Sequence, residues 1–180
     1  MIRTLSTSFA VLLLALVPAT AREFTDAEKA ELATAVADFN TAMTNQDWAT
    51  VMGIVPPKIL EKFAGDAGIT QEQLLEQMAT LMEQSLATVT IDSFGMDLEN
   101  ATYSETDDGT PYALIPTETV IGLGEQGQMR ATSQTLGMFE EGEWYLVRTE
   151  DAATLDALKS IYPSYASLEV EPGTMEPVTE

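Results

Sequence analysis

Histidine and cysteine are both absent from the 180-residue chain, and only 8 Lys and Arg face 29 Asp and Glu. Without those two residue types there is no disulfide, no thiolate or imidazole for nucleophilic or acid–base work, and none of the usual zinc or haem ligand sets. The scarcity of positive charge excludes a further class. Binding nucleic acid requires a basic surface that neutralises phosphates, and a formal net charge of −21 produces the opposite field. Long apolar runs are scarce as well. Phe9 to Val17 is an unbroken apolar stretch, but its nine residues fall well short of the roughly 20 that span a bilayer.

What surrounds that stretch gives it a meaning. Arg3 precedes it and Pro18, then Ala19-Thr-Ala21, follow it. A charged start, a short apolar centre and small residues at −3 and −1 predict a secretory signal peptide over 1–21, cleaved after Ala21, and so a periplasmic or secreted product. No cysteine follows the run, which excludes a lipid anchor at the cleavage site, and no membrane insertion is expected after cleavage. Residues 22–162 read as one domain, long enough to bury roughly two thirds of its unfolded surface without covalent staples. An exported chain without cysteine suits a bacterial periplasm better than a disulfide-dense secreted module. The acids are spread along a chain of 45% hydrophobic content, as on a solvated surface. Only 163–180, acidic and broken by proline and glycine, reads as a mobile tail.

Periodicity divides the domain in two. Thr25 and Glu28 predict a capping box for a helix over 26–44 with Leu32, Val36, Phe39 and Met43 on one stripe. Asp47 can cap a short helix through Trp48, Val51 and Met52, and Pro56-Pro57 ends it and starts another through Ile59, Leu60 and Phe63. Gly65 to Gly68 reads as a loop, and Thr70 with Gln73 opens an amphipathic helix reaching Leu86. From Ala87 the period becomes 2. Val89 and Ile91 alternate in one phase but Phe94, Met96 and Leu98 in the other, which places a bulge near Asp92-Ser93. Strands over 100–105 and 112–121 flank the turn Asp107-Asp108-Gly109. A Gly-rich turn over 122–127, a strand over 128–139, the turn Glu140-Glu141-Gly142 and a last strand over 143–149 follow. Asp151 can cap a closing helix that Pro163 ends. Helices followed by a meander of strands predict an α+β domain: three N-terminal helices packed on one face of a curved antiparallel sheet of four to six strands, with a short C-terminal helix.

This order of elements, closing on Gly142-Glu-Trp-Tyr-Leu-Val-Arg148, resembles the nuclear transport factor 2-like superfamily, also called the cystatin-like cone fold, over about residues 25–162. The resemblance implies a conical half-barrel that encloses a pocket. The superfamily uses that pocket for enzymes, for ligand carriers and in plain dimerising modules, so the fold does not settle function. Its catalytic members commonly use an Asp or His base with a Tyr or acid donor, and histidine is missing here.

The candidates that remain are few. Asp92 and Glu118 fall in strands, and a carboxylate inside an apolar cone would have its pKa raised toward the range useful for proton abstraction; on an outer face or an edge they would be ordinary surface acids. Arg130 and Arg148 are the only bases of the strand region. They could hold an anionic ligand, or pair with acids such as Glu118, Glu143 or Glu150. Alternation puts Trp144 and Arg148 on one face, so that both, with Tyr112, are candidates to line a ligand pocket. No metal site and no cofactor is expected: the methionines sit in apolar stripes, and the Gly122–Gly127 turn lacks the helix and Lys-Ser/Thr of a nucleotide loop.

The reading that follows is an exported, non-catalytic domain holding a small apolar or weakly anionic ligand, or a partner protein, in a cone, with a homodimer through the outer sheet face as one arrangement. A cofactor-free isomerase or hydratase-like enzyme with a buried carboxylate, and a structural envelope protein, are the alternatives. They differ in what the cone contains: an open apolar pocket, a desolvated acid beside a hydroxyl, or packed side chains.

Overall fold

A computed structural model describes residues 24–86, 89–149 and 152–178. The expected signal peptide, Ala87 and the Asp151 cap lie outside these residues. The chain order is α1 (Asp26–Asn45), α2 (Trp48–Gly53), α3 (Pro57–Ala67), α4 (Gln71–Leu86), β1 (Thr90–Met96), β2 (Thr102–Glu105), β3 (Pro111–Gly122), β4 (Gln128–Glu140), β5 (Glu143–Arg148), α5 (Ala152–Ile161) and β6 (Thr174–Pro177).

The local signals set the helix limits. Thr25 and Glu28 form the reciprocal capping box of α1, and Gln46 ends it in the left-handed region at φ 57°. Asp47 accepts a hydrogen bond from the Thr50 amide to start α2. Pro57, whose fixed φ suits a first turn, opens α3. Thr70 and Gln73 satisfy each other's backbone amides at the head of α4. Two expectations need correction. Four helices precede the sheet, the four that the local signals give one by one, so the count of three N-terminal helices is one too few. The expected loop at Gly65 is helical: α3 runs on to Ala67, with a Lys62–Asp66 pair at 3.0 Å across its last turn, and stops where Gly68 takes φ 68°.

The sheet is antiparallel, and curls into a half-barrel. Its central path is β1-β3-β4-β5; β2 shares one edge of β3 with β1, and β6 shares one edge of β4 with β5. In β1, Ile91 pairs with Ile121 and Ser93 with Val120, so Asp92 is the extra residue of the bulge that the change of phase predicts. The bulge lets Ile91 and Phe94 both turn toward α1. Glu141 at φ 53° and Gly142 at φ 92° make the tight β4–β5 turn, where two successive positive φ values match the strand twist. A strand after Arg148 was not expected. Residues 174–177 nevertheless form β6, antiparallel to β4 from Met129↔Pro177 to Thr132↔Thr174.

Helices cover both faces of the sheet rather than one. On the inner face α1 and α2 pack Leu32, Val36, Phe39 and Trp48 against Ala113, Ile115, Trp144 and Leu146. On the outer face Ile59 of α3, Leu158 of α5, Tyr162, Tyr165 and Leu168 cover Leu114, Leu136, Met138 and Val147. Contiguous apolar runs such as Ala113-Leu114-Ile115 put apolar groups on both faces, so each face needs a cover. This covers Leu114, Leu136, Met138 and Val147 of the outer face within the chain itself.

Candidate functional site

The inner face changes character along its length. Inward positions of β3 run Ala113, Ile115, Thr117, Thr119, Ile121, and their β4 neighbours run Gly137, Thr135, Ser133, Ala131, Met129. At the β4–β5 turn the space is filled by aromatics: Trp144 lies 5.9 Å from Phe24 and 5.2 Å from Phe139, centroid to centroid. Farther along, the inward side chains Thr119, Ser133 and Ala131 are small, and Leu86 at the end of α4 reaches this part. A half-open cavity of about 440 Å³ results, lined by Met43, Leu86, Ile91, Phe94, Thr119, Ile121, Ala131, Thr132 and Arg148, and by Gly173 to Met175. A second hollow of about 360 Å³ shares Met43, Leu86, Ile91 and Phe94 with it and extends to Trp48 and Gln46.

The floor between the filled and open ends carries a buried polar pair. Thr117 and Thr135 hydroxyls lie 2.8 Å apart, and Thr117 also donates to the Ile115 carbonyl at 3.0 Å. Thr117→Val should therefore leave the Thr135 hydroxyl, 1% exposed, without that partner and cost about 1–3 kcal/mol. Thr135→Val, which leaves Thr117 its carbonyl bond, should cost only about 0.5–1.5 kcal/mol. Urea denaturation of the two single variants checks the order, and equal losses would contradict this arrangement.

The residues singled out in the sequence separate. Arg148 lines the cavity, on the inner face opposite Thr135. Trp144 shares that face but is 7% exposed and part of the filled end, four residues or about 13 Å along the strand from Arg148. Tyr112 lies on the outer face, its ring 5.7 Å from that of Tyr165. Glu118 and Arg130 are both outward, about half exposed, and pair at 3.3 Å, which is the ordinary neutralising role. Asp92 is exposed and sits against Gly122, where a Cβ would come within 2.7 Å of its carboxylate. It accepts hydrogen bonds at 2.7 Å from Thr90 Oγ1 and at 2.7 Å from Gln128 Nε2. These bonds, Thr90's first, hold its carboxyl below the usual aspartate value. That is the reverse of the upward shift a desolvated base in the cone needs.

The outer tyrosines are structural. Tyr162 donates to Glu140 Oε2 at 2.8 Å, Lys58 also donates to Glu140, and its ammonium lies 5.5 Å from the Tyr162 ring centre. Burial first, and then the bond to Glu140, push the Tyr162 hydroxyl well above its ordinary pKa. It holds α3, β4 and the end of α5 together.

The pocket residues that sequence patterning did not single out are Ile91, Phe94, Thr119, Ile121 and Met175. The usable signal was the run of small inward residues in two long strands. Among the described residues no three carboxylates converge as a metal site would require, and no helix is long and apolar enough to cross a membrane. Comparison with protein-family models, with curated proteins and with solved structures returns no match to this chain.

Proposed function

We propose that this is an exported cone-fold domain, akin to the nuclear transport factor 2-like superfamily, that carries a small apolar molecule with one acidic end. The observation that carries the reading is the cavity of about 440 Å³, walled by Met43, Leu86, Ile91, Phe94 and Ile121, with Arg148 its one basic lining residue among the described residues. That volume falls within the range of about 300–1,000 Å³ usual for small-molecule sites, and a mostly apolar wall with a few polar groups is their usual make-up. The enzyme alternative is disfavoured because Glu118 is outward and paired and Asp92 is exposed and hydrogen-bonded. A purely structural module is disfavoured because side chains fill only the Trp144 end of the cone.

Medium-chain carboxylates test the reading. Calorimetry should find saturable binding of decanoate, with octanoate about 15-fold weaker, since each buried CH₂ contributes about 0.8 kcal/mol. Ile121→Trp, which narrows the cavity, should weaken binding at least tenfold, and Arg148→Gln should weaken decanoate more than decanol. Binding that is indifferent to chain length, or unaffected by Ile121→Trp, would reject the cavity as the site.

A further inference from the structure

The C-terminal strand occupies a position with two consequences. Met175 pairs with Ala131, an inward residue of β4, so β6 extends the inner wall, and Gly173 to Met175 line the cavity. Yet Met175 is 60% exposed: an inward side chain on a paired strand that is still open to solvent marks where the cavity meets water. Beyond Leu168, which is 3% exposed and packs into the outer core, no described residue of the tail is buried, and all four residues of β6 are exposed.

What holds this segment down is polar and peripheral. Thr132 and Thr174 hydroxyls meet at 2.6 Å, the Val178 amide donates to the Gln128 carbonyl at 2.9 Å, and the Glu171 amide donates to Gln134 Oε1 at 3.0 Å. A segment with solvent-exposed backbone bonds and no buried apolar contact is drawn from the low-stability end of a fold. The buried Leu168 and the Pro172-Gly173 pair mark where the chain would pivot.

We propose that residues 172–178 are a strap that gates the cavity: closed, it completes the wall with the adaptable Met175 side chain; open, it admits the ligand. The proposal rests on the ligand-carrying reading above, and commits to the mouth under β6 as the route of entry. Opening leaves the β4 edge from Met129 to Thr132 unpaired but removes no buried apolar side chain, so it is a local event.

The cysteine-free sequence makes the test clean. Thr132 and Thr174 are directly opposite with touching side chains, so the Thr132→Cys, Thr174→Cys double variant can lock the strap by oxidation. Stopped-flow tryptophan fluorescence, with Trp48 lining the adjoining hollow, reads decanoate uptake. Association and dissociation should both slow at least 10-fold on oxidation and recover on reduction, and both should quicken in a chain ending at Glu171. In the unmodified protein, hydrogen exchange at the Val178 amide should be at least 100-fold faster than at the Leu146 amide, which donates to the Ile54 carbonyl. Equal rates in the oxidised and reduced forms, or equal exchange at the two amides, overturn the strap while leaving ligand binding standing. No decanoate binding in any form overturns the carrier reading, and the gate with it.

Discussion

Trp144→Ala will destabilise the protein by about 3–5 kcal/mol, the usual cost of emptying a buried aromatic site, while decanoate affinity of the folded fraction stays within twofold of the parent. The indole stands between Phe24 and Phe139 and is 7% exposed, so its loss leaves a void that rigid neighbours on α1 and β4 fill only in part. The cavity lies farther along the same sheet face and does not include it. Trp144→Phe supplies the control. The indole Nε1 is buried without a hydrogen-bond partner among the described residues, so phenylalanine removes a donor whose burial is already unfavourable, by about 1–3 kcal/mol for a typical unsatisfied group, and the net loss should be far smaller than for alanine. Urea denaturation followed by circular dichroism gives both values. Similar losses for the two variants, or a tenfold loss of decanoate affinity in Trp144→Ala, would return Trp144 to the binding site.

Leu32→Ala should cost about 2–5 kcal/mol, because the side chain is fully buried at the α1–sheet contact. Its coupling to Gly137 is the sharper test. A Cβ at Gly137 would lie 2.9 Å from Leu32 Cδ1 and 3.6 Å from Ile115 Cδ1, so Gly137→Ala alone should overpack the contact and cost about 1–3 kcal/mol. In the Leu32→Ala background the same methyl enters vacated space. The double variant should then be more stable than the sum of the single losses predicts, by about 0.5–3 kcal/mol. Strict additivity would mean that α1 does not rest on β4 through this pair.

Local chemistry made much of the fold legible. Thr25 with Glu28, Asp47 and Pro57 act within three or four residues of themselves, so helix starts can be read from neighbours alone. The β1 bulge was equally visible, since one extra residue inverts every later side chain and the apolar pattern records it at Asp92. Gly65 departs from the expected loop because glycine weakens a helix without ending it, whereas a positive φ at Gly68 does end it. The strand at Thr174–Pro177 had no such signal: its four residues are exposed and its stability comes from the β4 edge it pairs with.

The candidate site divides along the same line. Placing Arg148 and Trp144 on one face needed only the two-residue period of a strand, and they do share it. Which of them meets a cavity depended on how side chains from distant segments fill the cone: Phe24 and Phe139 close one end, while Thr119 and Ala131 leave the other open. Composition and spacing alone determined the absence of cysteine and histidine chemistry, the acidic surface, the helix caps and the alternation of each strand, because these are properties of single residues and their near neighbours. Tertiary structure alone decided that both sheet faces are covered, that Asp92 lies against Gly122 with a lowered pKa, and that the last strand lines the cavity. Those outcomes arise from packing between residues far apart in the chain, where volume and hydrogen-bond partners are set by segments that no local pattern encodes.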